Sequence, residues 1–263
     1  MAEDVLKKYP EKQVHGWYER LARKVNADAK GQGVSTPMAG LFLLHYLGRN
    51  NNNALGSALE LDAPDHLTAD DSVTDVLSFH RAVFLTEKKG TFHPAPDRWA
   101  GLIPRIQSGK WDGNSAITLE YTSLSDVAPN RFDIARLYAS KPPKKWDIFT
   151  SLRGWQLKSS VQLNGTKEKT GMVTVTFQHW TASGEDFYDF DPKEHLTLPN
   201  PDYQSKEGFA IEPQKQEITV FHTNAIRLEN AQLAKPFKVR IRPWIVRNAN
   251  LVANATIDPK KRL

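Results

Sequence analysis

Four segments in the second half of the chain set its class. Residues 156–163 (QLKSSVQL), 172–180 (MVTVTFQHW), 217–222 (EITVFH) and 237–246 (FKVRIRPWIV) alternate apolar with polar side chains or are rich in β-branched residues. A period of two places one set of side chains on one face of a pleated strand, and β-branched and aromatic residues suit that surface. The pattern predicts an antiparallel sheet, with Asn164-Gly165 as the turn between the first two strands. Lys238, Arg240 and Arg242 occupy alternate positions of the last segment and read as the solvated face of that sheet.

The first 95 residues have another texture. Residues 14–29 carry Val14, Trp17, Leu21 and Val25 at helical spacing, and Gly31 and Gly33 follow. Thr36 before Pro37 is a helix start, and the apolar run MAGLFLLHYLG behind it predicts a buried helix. Residues 73–87 fit helix or strand equally, and 227–233 (RLENAQL) suggest a short helix. The class is therefore α+β, a helical and mixed N-terminal region packed on an open, barrel-like antiparallel sheet. Proline-rich breaks at 93–99 and 141–147 suggest regions 1–95, 96–150 and 151–263.

The 263-residue chain has no cysteine, which excludes disulfides, thiolate metal sites and a thiol nucleophile. Nothing in it would mispair in an oxidising compartment. A formal charge of +5 is too mild to predict specific nucleic-acid binding. The opening MAEDVLKKYPEKQ has acids and lysines where a secretory leader needs an apolar core, so export would require a dedicated machine. Phosphate-binding glycine loops, a G-x-S-x-G elbow and paired zinc-type histidines are all lacking, and the 7 tryptophans are scattered as packing residues are.

The unusual stretch is 184–203, GEDFYDFDPKEHLTLPNPDY. Asp186, Asp189, Asp191 and His195 fall within ten residues directly after a good strand. Aspartate suits strands poorly, so the run is either an acidic turn or a site. On a continuing strand Asp186 and Tyr188 share a face and Asp189 points away, so the carboxylates converge only if the strand ends or bulges. Asp191-Pro192 predicts the turn that would bring His195 back. Two carboxylates and an imidazole could activate water, bind a divalent cation or protonate a leaving group. A second group, His222, Asn224 and Arg227 in FHTNAIRLE, lies where a strand meets a helix and could receive an anion. Equally, Arg227 could pair with Glu229 or Asp202, and His222 could be a half-buried edge residue.

Asp186-x-Tyr188-Asp189, followed by five residues and His195, resembles the D-x-Y-D-x5-H-R signature of the colicin M family. That resemblance implies a bacteriocin-like hydrolase of undecaprenyl-linked peptidoglycan precursors, lipid II above all, dependent on Mg2+. It implies Asp189 as catalytic carboxylate, Asp186 as a second Mg2+ ligand or orienting group, His195 as general acid or base, and Tyr188 as a hydrogen-bond donor to a phosphate oxygen. Leu196 stands where the family has arginine, and Arg227, with His222 and Asn224, would supply the substrate contact instead. GEDFYDFDPKEHLTLPNPDY and VFHTNAIRLENAQLAKPF are also similar to an uncharacterised bacterial family associated with type VI secretion neighbourhoods. Together the resemblances imply an antibacterial effector delivered without a signal peptide to a target cell's periplasm. A secretion carrier, a cognate immunity protein and an anionic membrane surface would be its partners. The alternatives are a non-enzymatic adaptor or immunity protein, and a nuclease-type metal phosphoesterase.

Overall fold

The structure is a computed structural model that describes residues 3–26, 37–50, 54–94, 102–122, 155–247, 252 and 254–260. A 3-10 turn, Leu6–Lys8, precedes α1 (Glu11–Asn26) and α2 (Pro37–Tyr46). Then come β1 (Leu59–Leu61), α3 (Asp65–Thr68), α4 (Asp71–Phe84), β2 (Leu85–Lys88), β3 (Thr91–Pro94), α5 (Leu102–Gln107) and β4 (Ala116–Thr122). The rest is β5 (Gln156–Lys167), β6 (Val173–Tyr188), β7 (His195–Pro199), β8 (Glu217–Phe221), α6 (Thr223–Asn230), β9 (Phe237–Ile245) and β10 (Asn254–Ile257). The main sheet has the order β1-β9-β6-β5-β4, with β10 also on β6, while β2–β3 and β7–β8 form separate antiparallel pairs. The class is α+β, and among the described residues the sheet stays open and closes into no barrel.

The chain divides into two compact units that do not follow contiguous segments. The first draws on described residues of Met1–Leu61, Ala128–Trp155 and Glu185–Arg240, the second on those of Asp62–Val127, Gln156–Gly184 and Ile241–Leu263. The boundaries suggested at 95 and 150 therefore differ from this division. β6 and β9 each give residues to both units, which punctuation by proline does not reveal. The breaks at 95–99 and 141–147, the helix stop at Gly31 and Gly33, and Thr36 lie outside the described residues.

In the first unit, α1 buries Val14, Trp17, Tyr18, Leu21 and Ala22, one face at i, i+3, i+4, i+7 and i+8. It packs along α2 and α6. α2 buries Met38, Phe42, Leu43, Leu44 and Tyr46, as its nearly uninterrupted apolar run requires. In the second unit the ambiguous 73–87 stretch splits into α4 and β2. Val73, Leu77, His80 and Phe84 are buried at spacings of four, three and four, a helical face that ends where β2 begins at Leu85.

The turn expected at Asn164-Gly165 is absent, because β5 continues through it and pairs Asn164 with Ala116 of β4. The chain reverses at 168–172 instead, where Gly171 has φ +86° and Glu168 N–H reaches Met172 O at 2.8 Å. Gly165 is required for a different reason. A Cβ there would sit 2.5 Å from Trp111 Cζ2 and 2.6 Å from Gly113 O. The basic face of β9 is as expected. Phe237, Val239 and Ile241 are buried, while Lys238, Arg240 and Arg242 point out and pair with Glu185, Glu60 and Asp62. Trp17, Trp111, Trp155 and Trp180 are core residues. Trp99 and Trp146 lie outside the described residues.

Candidate functional site

Every predicted site residue falls in the first unit. β6 leads into the motif, and its phase decides which side chains face inward. Val173, Val175 and Phe177 are buried, Gln178 and His179 are exposed, and Trp180, Ala182 and Gly184 are buried. The inward set passes from odd to even positions at Gln178–His179, the change of face that one extra residue in a strand produces. Asp186 and Tyr188 continue the even set, and β6 ends at Tyr188. Asp189 thus lies beyond the strand and is exposed.

Tyr188 is packed among rings. Its centroid lies 5.6 Å from Phe42, 6.0 Å from Tyr46, 5.5 Å from Phe190 and 5.2 Å from Phe237. The phenol of Tyr46 donates to Glu229 at 2.6 Å, and burial, then this bond, raises its pKa. Asp186 Oδ1 accepts the Phe187 N–H at 2.8 Å.

The turn predicted at Asp191-Pro192 is present. Asp191 Oδ1 accepts the Lys193 N–H at 2.9 Å, and Glu194 N–H donates to Asp191 O at 3.0 Å. His222 holds this turn from beneath. Its buried imidazole donates through Nδ1 to Asp191 O at 3.0 Å, and its backbone N–H donates to Glu194 O at 3.0 Å. The carbonyl only accepts, so the proton sits on Nδ1. Phe190 packs edge-on against His222, with centroids 5.0 Å apart. Its neighbours Asp189 and Asp191 face solvent. His195 opens β7, is exposed, and stacks on Phe221, its register partner in β8, at 5.2 Å and 22°.

The structure thus brings Tyr188, Phe190 and His222 together, and it leaves Asp189, Asp191 and His195 on the outside of a clamped turn. Among the described residues, no three His, Asp or Glu side chains are grouped so as to hold a metal ion. Asp186, Asp189 and His195 therefore do not converge as a three-ligand site.

The group expected to receive substrate is engaged by the protein itself. Asn224 Nδ2 donates to Asp4 Oδ1 at 2.8 Å and to Phe221 O at 3.2 Å. Arg227 donates to Asn224 Oδ1 at 3.1 Å, Leu6 O at 3.4 Å, Tyr9 O at 3.1 Å and Glu11 Oε1 at 2.9 Å. Its guanidinium ties the N-terminal segment to α6 in place of the phosphate expected from sequence. Glu229 and Asp202, the partners weighed from sequence, are taken by Tyr46 and Arg20. The Glu11 carboxyl is held below its usual range by its own backbone N–H first and by Arg227 second.

No family model matches the sequence, and no curated protein matches it. Among solved structures the chain is similar to truncated bacteriocin syringacin M from Pseudomonas syringae pv. tomato DC3000. The identity is 12% and the TM-score 0.25, over 97% of this chain and 83% of that one. At that TM-score the likeness transfers neither a residue role nor an activity.

Sequence reasoning missed the end of the motif stretch, where Asn200 and Asp202 build a buried polar hub. Asn200 Nδ2 lies within 2.8–3.0 Å of the Ile211, Glu212 and Lys215 carbonyls, and Oδ1 accepts the Trp17 indole N–H at 2.9 Å. Asp202 takes both arms of Arg20, at 2.6 and 2.7 Å, and the Ile211 N–H at 2.8 Å. Asn-Pro-Asp after a strand is a turn-former string, and that was the available signal.

Proposed function

We propose that the chain is an antibacterial toxin that hydrolyses the lipid–pyrophosphate linkage of an undecaprenyl-linked peptidoglycan precursor, using Asp189 and His195. The observation that carries this reading is the clamped turn at 189–194. It packs half-buried Phe190 edge-on against His222 and leaves the motif's second aspartate and its histidine exposed at either end. A substrate whose polyprenyl tail stays in the bilayer presents its pyrophosphate at the membrane surface, and exposed catalytic side chains suit a headgroup that cannot leave that surface.

In this reading Asp189 accepts a proton from water as the water oxygen attacks the phosphorus next to the polyprenyl oxygen. The bond from that phosphorus to the polyprenyl oxygen breaks, and imidazolium at His195 gives its proton to the departing oxygen. Polyprenol and a pyrophosphoryl sugar fragment result, with the hydroxyl of water on phosphorus and its proton returned through solvent. Tyr188, packed among four rings, positions the start of the turn. Asp186 and Asp189 would hold Mg2+, which needs only one or two carboxylates with water completing its shell, and the ion would neutralise pyrophosphate charge. Delivery to a target cell's periplasm by a secretion carrier, with an immunity protein in the producer, belongs to the same reading.

The test is killing by compartment. The chain routed to the periplasm should kill and release polyprenol from purified lipid II, and the cytoplasmic form should not. Asp189→Asn and His195→Gln should each abolish both effects while keeping the parent's circular dichroism. Killing by both variants at the parent's level would sink the hydrolytic reading.

A second reading has an observation of its own. Asp189, Asp191 and His195 stand exposed on the outside of the clamped turn, as residues that meet a partner surface would. That favours a binding module, an adaptor or an immunity protein, that meets one protein partner. It predicts no killing in either compartment and no release of polyprenol.

A further inference from the structure

A cavity of about 590 Å³ lies wholly within the second unit. One wall is α3 and the following face of α4, with Asp65, Thr68, Ser78 and Arg81. The other is the end of β9 and the residues after it, with Trp244 and Arg247. The second wall is pinned by the Val246 N–H, which donates to Trp180 O at 2.9 Å. The volume falls within the range of small-molecule sites, about 300–1,000 Å³.

The lining has a definite hydrogen-bonding sense. Thr68 Oγ1 donates to Asp65 O at 3.1 Å and Ser78 Oγ donates to Thr74 O at 2.8 Å. Each hydroxyl has thus spent its proton on the helix and keeps lone pairs as acceptors. The Asp65 carboxylate is likewise an acceptor. Arg81 and Arg247 are donors and cations, and neither has an ion pair among the described residues. The face of the Arg81 guanidinium is occupied by the Phe92 ring, 4.3 Å from its centroid, which leaves the edge N–H groups as donors. Trp244 is half-buried and adds a flat apolar surface.

We propose that this cavity binds a glycosyl phosphate. Hydroxyl donors of a sugar match the acceptors on α3 and α4, and a phosphate matches the two guanidinium groups. The C–H face of the sugar ring would lie on Trp244. A phosphodiester without hydroxyls would leave Asp65, Thr68 and Ser78 unmatched, and a neutral sugar would leave both arginines unmatched. The inference rests on the cavity alone and not on the proposed hydrolysis.

The experiment is calorimetric titration of the full chain with glucose 1-phosphate, N-acetylglucosamine 1-phosphate and UDP-N-acetylglucosamine, beside glucose and inorganic phosphate. At least one of the three sugar phosphates should bind saturably and about tenfold or more tighter than either glucose or phosphate. The Arg81→Gln/Arg247→Gln variant should lose about tenfold or more of that affinity. Arg247→Gln alone, at an exposed position, should show a clear loss even if the double variant folds poorly. Failure of all three sugar phosphates to bind overturns the proposal. So does phosphate binding as tightly as they do, or Arg247→Gln binding like the parent. Binding is read without turnover, so loss of killing in Asp189→Asn bears on the hydrolytic reading alone.

Discussion

Arg227 separates two uses of one guanidinium, and Arg227→Gln tests them. As an anchor, Arg227 joins α6 to the segment before α1 through the Leu6 and Tyr9 carbonyls and to the first residue of α1 through Glu11, while Asn224 of its own helix braces the guanidinium. The Leu6 bond is long at 3.4 Å and contributes least, and the side chain is 29% exposed, so water replaces part of what is lost. At about 1 kcal/mol for each well-formed bond, the substitution should cost about 2 kcal/mol. Urea unfolding at constant slope reads that loss. Amide exchange should speed up locally from Leu6 to Glu11, since those are the residues released. The Glu11 carboxyl adds a check. Its folded pKa is depressed, so its contribution is present above the ordinary value and is lost as pH falls through the lowered one. Removing Arg227 should bring its titration back toward the ordinary range. A loss below about 0.5 kcal/mol with unchanged exchange would refute the anchor. A substrate-affinity loss in its place would restore the clamp expected from sequence.

His80 is fully buried, with Nδ1 2.7 Å from Ser159 Oγ, and burial pushes its pKa down to about 4. The unfolded chain takes up a proton near pH 6.5 while the fold does not. Stability is therefore present above that pH, falls by about 2 kcal/mol between pH 7 and pH 5, and levels off below about 4. A urea midpoint that is the same at pH 7 and pH 5 would contradict this. Asn200→Ala strips the Trp17 indole and several buried carbonyls of their partner and should cost about 3 kcal/mol or more, read as a lowered thermal midpoint. Gly165→Ala forces a Cβ against Trp111 and the Gly113 carbonyl and should cost about 1–3 kcal/mol; an unchanged midpoint would show that Trp111 yields freely.

Periodic elements were legible because burial is local in sequence. The Val14-to-Ala22 face, the strands at 156, 172, 217 and 237, and the turn at Asp191-Pro192 all follow from spacing and turn chemistry. Asn164-Gly165 misled because its glycine serves a close approach of Trp111, a neighbour distant in sequence. Arg227 misled for a similar reason, since its partners come from residues 6–11. At the candidate site, the end of the strand before Asp189 and the turn before His195 followed the local pattern, but the convergence expected of Asp189 and His195 did not. The clamp beneath them, His222 on Asp191, is a contact over 31 residues that spacing does not encode.

The change of phase at Gln178–His179 has a consequence for how such a chain can vary. Because inward and outward are counted afresh from Trp180, one residue inserted or deleted in 180–188 would turn Tyr188 out of its ring cluster and reverse the side to which Asp186 points. A length change in the hairpin at 168–172 leaves that count untouched. Relatives of this chain should therefore hold the distance from Trp180 to Phe190 constant while their upstream hairpins drift in length. That makes spacing, more than residue identity, the trait by which to find them.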